Sequence, residues 1–283
     1  MVRRCAVIGS PIAHSLSPLL HRTAYAELGI ADEYRYDAFE VTPDTLDEFV
    51  AGLGSEWVGL SVTAPDKQAL LRHGVADPLA EALRSANTLI LGRDGEPNRV
   101  YNTDIVGFGA ALARQGVRTA RTAVLVGNGA TARTALLGLA RLGVDDAVVL
   151  ARDESRARAS LDPIAGPAGV RLRVQPFGSA PELPEEWSGH ADLLVSTVPV
   201  EVPDDLASAL VQKVSAVFEA TYNHYPTAID RAAARAGLVS VDGLDFLVGQ
   251  ALDQIRLMTG RQADPGPLLA ACRAEIARRQ PSA

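Results

Sequence analysis

Residues 123–132, Ala123-Val124-Leu125-Val126-Gly127-Asn128-Gly129-Ala130-Thr131-Ala132, read as an apolar strand, a Gly-x-Gly-x-x-Ala turn and the start of a helix. The first glycine permits a tight turn, and the second lets the backbone approach a pyrophosphate. The small residue in the third position lets helix and strand pack closely, and the helix N-terminus offers N–H groups to an anion. A strand before and a helix after separate this from a bare glycine pattern, so a dinucleotide site is predicted here. The end of the next strand chooses between cofactors, because an acidic residue there accepts a ribose 2′-hydroxyl and an arginine accommodates a 2′-phosphate. Strand 147–150 runs into Ala151-Arg152-Asp153-Glu154-Ser155-Arg156. Arg152 and Arg156 suit a phosphate held from two sides, which favours NADP. Asp153 beside them keeps NAD open as the lesser alternative, and pairing of the arginines with Asp153 and Glu154 is the bland one.

Outward from this turn the chain alternates strand and helix patterns in both directions. Upstream, strands are predicted at 6–9, 33–39, 58–62 and 88–91, with helical stretches at 17–28, 43–52, 66–71 and 78–83. Downstream, a helix runs through Leu142, and strands follow at 147–150, 171–174, 193–196 and 216–219. The Pro/Gly-rich segment 163–169 is expected to be a loop, and helices are expected at 244–258 and 267–279. The pattern is that of an α/β protein with two α/β domains and mostly parallel, helix-covered sheets. Periodicity leaves open which domain the last helices cover.

The 283 residues agree with two domains, and 47% hydrophobic against 22% charged residues allows sizeable cores. A formal charge of −7 argues against a nucleic-acid partner. No run of 18 apolar residues exists, so no membrane span is expected. The apolar run after Arg3-Arg4 is too short for a signal peptide. Cys5 and Cys272 make neither a disulfide framework nor a metal cage, and a reducing, cytoplasmic home is expected. Of 27 basic residues only Lys67 and Lys213 are lysines. Lysine, unlike arginine, can give up its proton near neutral pH when its surroundings press it to.

Three polar clusters fall in the first hundred residues. In the first, Gly9-Ser10-Pro11-Ile12-Ala13-His14-Ser15-Leu16-Ser17-Pro18, Ser17 and Pro18 read as an N-cap and N1 pair. The hydroxyls of Ser15 and Ser17 at a helix N-terminus also suit a carboxylate. The second, Leu60-Ser61-Val62-Thr63-Ala64-Pro65-Asp66-Lys67, places polar groups and the rare lysine at a strand end. The third joins Ser85-Ala86-Asn87-Thr88 to Tyr101-Asn102-Thr103-Asp104. Ligands of open α/β sheets gather outside the carboxyl ends of strands.

Taken in order, these motifs resemble the shikimate dehydrogenase family over nearly the whole chain. The resemblance runs through His14-Ser15-x-Ser17-Pro18, Val62-Thr63-x-Pro65-x-Lys67, Ala86-Asn87-Thr88 and Asn102-Thr103-Asp104-x-x-Gly107. It continues through the glycine turn, Ser196-Thr197-Val198-Pro199, Tyr222 with Pro226-Thr227, and Gly243 with Gln250-Ala251. It implies reversible, NADPH-dependent reduction of 3-dehydroshikimate, a small-molecule substrate, by a monomer or homodimer. The catalytic pair falls on Lys67 and Asp104. Substrate contacts fall on Ser15 and Ser17 for the carboxylate, and on Ser61, Thr63, Asn87, Asp104 and Gln250 for ring hydroxyls, with Tyr222 beside them. Cofactor contacts fall on Gly127, Asn128, Gly129, Ala130, Thr131, Arg152, Arg156, Ala220 and Gly243. The family's plan returns the last helices to the first domain, giving residues 1–104 with 241–283 as substrate domain and 105–240 as NADP domain.

Independent chemistry supports the pair. Hydride transfer to a ketone leaves an alkoxide that needs a proton and a positive charge beside it, and an ammonium gives both. The bland alternative is a structural salt bridge. Four positions depart from the common family pattern: Ser61 for Asn, Asn128 for a small residue, Glu219 for Asp and Phe246 for Met. Ser61 leaves quinate and aminoshikimate open as substrates, and a non-catalytic dinucleotide-sensing paralogue is the alternative of another class. His21 is expected on a helix face and His73, His190 and His224 in loops without metal-ligand spacing, so no metal is expected.

Overall fold

The computed structural model describes residues 2–222 and 225–279. Its chain divides into two compact units, one holding residues up to Gly107 and from Leu247 onward, the other Phe108–Phe246. Each is built on a six-stranded sheet.

In the first unit the elements run β1 (Arg3–Gly9), α1 (Ser17–Glu27), β2 (Tyr34–Glu40), α2 (Leu46–Ala51), β3 (Trp57–Val62), β4 (Val75–Ala76), α3 (Pro78–Leu83), β5 (Thr88–Ile90) and β6 (Arg99–Tyr101). A 3-10 turn at Ala69–His73 takes the place of the helix expected at 66–71. The sheet order is β2-β1-β3-β5-β6-β4. β1 pairs in parallel with β2 and β3, whereas β5 runs antiparallel to both β3 and β6. The connection at 91–98 is too short for a parallel crossover, which accounts for the antiparallel pairing of β5 with β6. Gly92 anchors that connection by donating its N–H to Asn98 Oδ1 at 2.9 Å.

β3 is buried at every position, as a central strand covered on both faces must be. Ile8, Leu60 and Leu89 are fully buried at its heart, each contributing about 1.5–3 kcal/mol by leaving water. On the other face Tyr25, Tyr34 and Tyr36 pack with Cys5, Val7 and Met258.

The second unit runs β7 (Thr122–Val126), α5 (Ala130–Leu142), β8 (Asp146–Ala151), α6 (Glu154–Ala168), β9 (Arg171–Pro176), β10 (Ala191–Ser196), α7 (Asp204–Val211), β11 (Val214–Glu219), α8 (Ala228–Ala236) and β12 (Val239–Val241). All its strands are parallel, in the order β12-β11-β10-β7-β8-β9. This doubly wound arrangement reverses between β7 and β10, the switch point where such folds bind dinucleotides. Two helices, α4 (Asp104–Arg114) and α9 (Gly243–Thr259), each contain a boundary between the units, and α10 (Pro265–Arg279) lies wholly in the first.

Two further expectations are corrected. Residues 163–168 are not a loop but the end of α6, with Pro163 and Pro167 inside the helix. Ala157, Leu161, Ile164 and Ala165 form a buried stripe at helical spacing that outweighs the two missing N–H groups. Gly169, in the left-handed region at φ 72°, then ends the helix. Ser17 is not the N-cap of α1: Leu16 occupies that place, and Ser15 Oγ instead accepts the N–H of Ser17 at 3.2 Å.

Candidate active site

The first unit gathers its polar side chains at the ends of β1, β3, β5 and β6. β3 ends at Val62, and the following turn carries Thr63 and Lys67. β5 begins one residue after Asn87, and β6 delivers Thr103 and Asp104 to the start of α4. Lys67 Nζ donates to Asp104 Oδ2 at 2.7 Å, with Lys67 19% and Asp104 7% exposed at the side chain. The other carboxylate oxygen accepts from Asn87 Nδ2 at 2.8 Å. The same amide reaches Thr103 Oγ1 at 2.9 Å and Gln250 Oε1 at 3.3 Å. Asn87 Oδ1 accepts from the N–H of Thr103 at 2.8 Å and from Thr88 Oγ1 at 3.0 Å, which fixes the amide's orientation. Lys67, Asp104, Asn87 and Gln250, separated widely in sequence, therefore form one hydrogen-bonded group. An ammonium so placed can give or take a proton while its carboxylate partner keeps it oriented.

Gln250 reaches this group on α9. A methyl added at Gly107 would sit 2.5 Å from the backbone nitrogen of Gln250, so only glycine lets the two backbones approach this closely.

Ser15 is half-buried and Ser17 is buried at the N-terminal end of α1, an anion-favouring position, and Thr63 is half-buried. Ser61 is different: it is 3% exposed, its Oγ accepting from Tyr36 at 2.6 Å and donating to Gln254 Oε1 at 2.9 Å. Tyr36 and Gln254 were not singled out by sequence reasoning, and Thr88 and Thr103 were named only as members of their polar cluster, without a role. A signal existed for Gln254, which lies four residues after Gln250 and so on the same helix face.

In the second unit Gly127 ends β7 at φ 107°, a conformation that favours glycine, and an added methyl would meet Thr197 Oγ1 at 2.6 Å. Gly129 is the N-cap of α5, with open space where a side chain would project. Asn128 presents its carbonyl to Ser160 Oγ at 2.8 Å, and Ala130 and Thr131 form the first turn of α5. Beyond β8, Asp153 caps α6 by accepting the N–H of Arg156 at 2.9 Å. Glu154 pairs with Arg158 instead, so neither Arg152 nor Arg156, both exposed, is engaged by a carboxylate among the described residues. These residues fit a dinucleotide: a glycine cradle at a helix N-terminus, with two unengaged guanidinium groups past the next strand.

Ala220 and Tyr222 are half-buried after β11, and Gly243 is buried where an added methyl would lie 2.9 Å from Tyr222 N. Glu219, one residue earlier, is buried and accepts from the N–H of Thr221 at 3.0 Å and from its hydroxyl at 3.2 Å. Burial pushes its acid up to about 7, and nearby Asp230, itself raised by burial, adds to the effect.

The remaining histidines fall as follows. His21 lies on α1 as expected, on its buried face, flat on Tyr36 with ring centroids 3.8 Å apart. His73 faces Asp47 at 2.9 Å, His190 meets Ser215 Oγ at 3.0 Å, and His224 lies outside the described residues.

Residues 7–89 match the family model described as the shikimate dehydrogenase substrate binding domain. An NADP(+) shikimate dehydrogenase of Halobacterium salinarum is 34% identical over 278 residues, covering 95% of this chain and 98% of its own. The chain belongs to the shikimate dehydrogenase family. Among solved structures, the shikimate dehydrogenase of Mycobacterium tuberculosis is similar with TM-score 0.84 and 37% identity, over 96% of this chain and 99% of that one. A shikimate 5-dehydrogenase from Mycobacterium fortuitum is similar with TM-score 0.83 and 37% identity, over 96% and 98% of the two chains. The family's two-domain Rossmann-like plan is the plan found here.

Proposed function

We propose that this protein reversibly reduces 3-dehydroshikimate to shikimate with NADPH. The observation that carries the reading is the Lys67–Asp104 pair, 2.7 Å apart, with the amide of Asn87 fixed against the carboxylate and Gln250 beside it. The naming of full-length relatives as NADP(+) shikimate dehydrogenases supports it.

NADPH, when bound, supplies the hydride. Gly127, Asn128, Gly129, Ala130 and Thr131 would hold its pyrophosphate and Arg152 and Arg156 its 2′-phosphate, with Ala220 and Gly243 as further cofactor contacts. The chain's own residues manage the proton and the charge. Lys67 Nζ donates a hydrogen bond to the ketone oxygen and stabilises the negative charge that grows there, then passes its proton to that oxygen. In the oxidative direction the amine of Lys67 takes the proton back. Asp104 holds the lysine in place through both directions and, with Asn87 and Gln250, accepts or donates to ring hydroxyls. Ser15 and Ser17, at the start of α1, serve the substrate carboxylate, and Thr63 and Tyr222 complete the substrate contacts.

The test is initial-rate NAD(P)H formation, followed by absorbance, with shikimate and quinate each against NADP and NAD. The highest kcat/KM is expected for shikimate with NADP. Preference for quinate or NAD overturns the substrate or cofactor assignment respectively, and inertness with all four pairs overturns the reading.

A further inference from the structure

A continuous chain of buried hydrogen bonds leads from Tyr36 on β2 to the Lys67–Asp104 pair. Tyr36 Oη donates to Ser61 Oγ at 2.6 Å, and Ser61 Oγ donates to Gln254 Oε1 at 2.9 Å. Gln254 Nε2 donates to the carbonyl oxygen of Asn87 at 3.1 Å and to Thr88 Oγ1 at 3.2 Å. Thr88 Oγ1 donates to Asn87 Oδ1 at 3.0 Å, and Asn87 Nδ2 donates to Asp104 Oδ1 at 2.8 Å. Every donor in the series points toward the carboxylate. Tyr36, Ser61, Gln254, Thr88 and Asn87 are all buried, so none of these groups can take water in place of a lost partner.

The series also decides what Ser61 can do. Its single proton goes to Gln254 and it accepts from Tyr36, whose ring is held flat against His21 at 17°. Gln254 in turn bridges two strands, β3 through Ser61 and the start of β5 through Asn87 and Thr88. It does so from α9, one turn beyond Gln250 on the same face. The directional bonds of Gln254 fix how α9 is rotated and where it sits along the sheet. Gln250 is then carried to within 3.3 Å of Asn87 Nδ2.

We propose that Gln254, backed by Ser61 and Tyr36, is a positioning residue: it sets the register of α9 on β3 and β5, so that Gln250 and Asn87 meet at the Lys67–Asp104 pair. Ser61 acts through Gln254 rather than on the substrate. The consequence for catalysis rests on the function proposed above; the positioning itself does not.

Gln254→Leu keeps the size of the side chain and removes all of its hydrogen bonds. KM for shikimate is expected to rise about tenfold or more, with KM for NADP within about twofold of the parent. A crystal structure of the variant is expected to show Gln250 Oε1 out of hydrogen-bond reach of Asn87. Gln254→Glu supplies the rescue: protonated, its acid donates to Thr88 as the amide does, and ionised it cannot. The KM of this variant relative to the parent is expected to fall as pH is lowered from about 8 to about 6, since burial favours the neutral acid. A residue that merely stabilises the fold would lower Tm and leave both KM and this pH trend unmoved. KM within about twofold of the parent in Gln254→Leu, with Gln250 still on Asn87, overturns the proposal. If the parent itself is inert on shikimate, the functional reading fails, and the position of Gln250 in the variant's crystal structure still decides the positioning claim. Should Gln254→Leu not fold, Ser61→Ala takes its place, with a KM rise of about threefold expected and no change overturning the claim.

Discussion

Lys67 and Asp104, 37 residues apart in sequence, meet at 2.7 Å in a largely buried ion pair whose carboxylate is held on its other oxygen by Asn87. A pair that served only the fold would tolerate loss of its proton-transfer chemistry. Lys67→Ala is expected to lower kcat for shikimate oxidation by about 10²–10⁴-fold, the usual contribution of a positioned acid–base group. Circular dichroism and NADPH titration by fluorescence are expected to match the parent. Near-normal turnover would remove Lys67 from its assigned role.

The cofactor preference is predicted to reside in Arg152 and Arg156 and not in Asp153. Arg152→Ala and Arg156→Ala should each raise KM for NADP by about tenfold, while NAD kinetics stay level, because NAD carries no 2′-phosphate for a guanidinium to meet. Asp153 already serves α6 as its N-cap. Asp153→Ala is therefore expected to cost about 1 kcal/mol of stability and to leave the ratio of NADP to NAD kcat/KM unchanged. A marked change in that ratio would show that Asp153 faces the ribose.

The parts of this molecule that were legible in its sequence are those written in short-range chemistry. The turn at Gly127 declared itself because strand, glycine spacing and helix are contiguous. The boundaries of α3 at Pro78 and Leu83 coincide with the expected ones, set by the cap Asp77 and the proline at its start. What escaped was written at long range or against local rules. α6 hides two prolines under a buried stripe, so local propensity misread its second half. β12 has three residues and exists because β11 offers it an edge, which no window of sequence contains. α8 went unread although Thr227 and Asp230 form a capping box at its start. Ser61 was placed at a strand end correctly, yet which way its hydroxyl turns depends on Gln254, 193 residues away.

Stability toward acid is expected to turn on His21. The ring is fully buried, and burial pushes its pKa down to about 3. Folded His21 is then neutral while the unfolded chain's histidine protonates near its ordinary value. The stabilisation is present above about pH 6.5 and is lost as pH falls from there toward 3, at about 1.4 kcal/mol per pH unit for one proton. His21→Phe keeps a flat ring against Tyr36 and cannot charge. Urea midpoints measured at about pH 7 and pH 5 should differ less in this variant than in the parent. An equal drop in both would assign the acid sensitivity elsewhere.

Glu219 sets the opposite limb. Its acid is pushed up to about 7, chiefly by burial, while the unfolded carboxyl lies near 4.5. Between those values the folded state binds more protons than the unfolded one, so stability declines as pH rises from about 4.5 through about 7 and then levels off. Thr221 donates to the carboxylate from its N–H and its hydroxyl, which offsets only part of the burial cost. Glu219→Gln keeps the shape and the acceptor facing Thr221 but carries no charge into the buried site. The variant is therefore expected to gain about 2–3 kcal/mol over the parent near pH 8 and less than about 1 kcal/mol near pH 5. Thermal unfolding of both proteins at the two pH values decides it: the same change in Tm at each would mean that Glu219 is not the group that titrates.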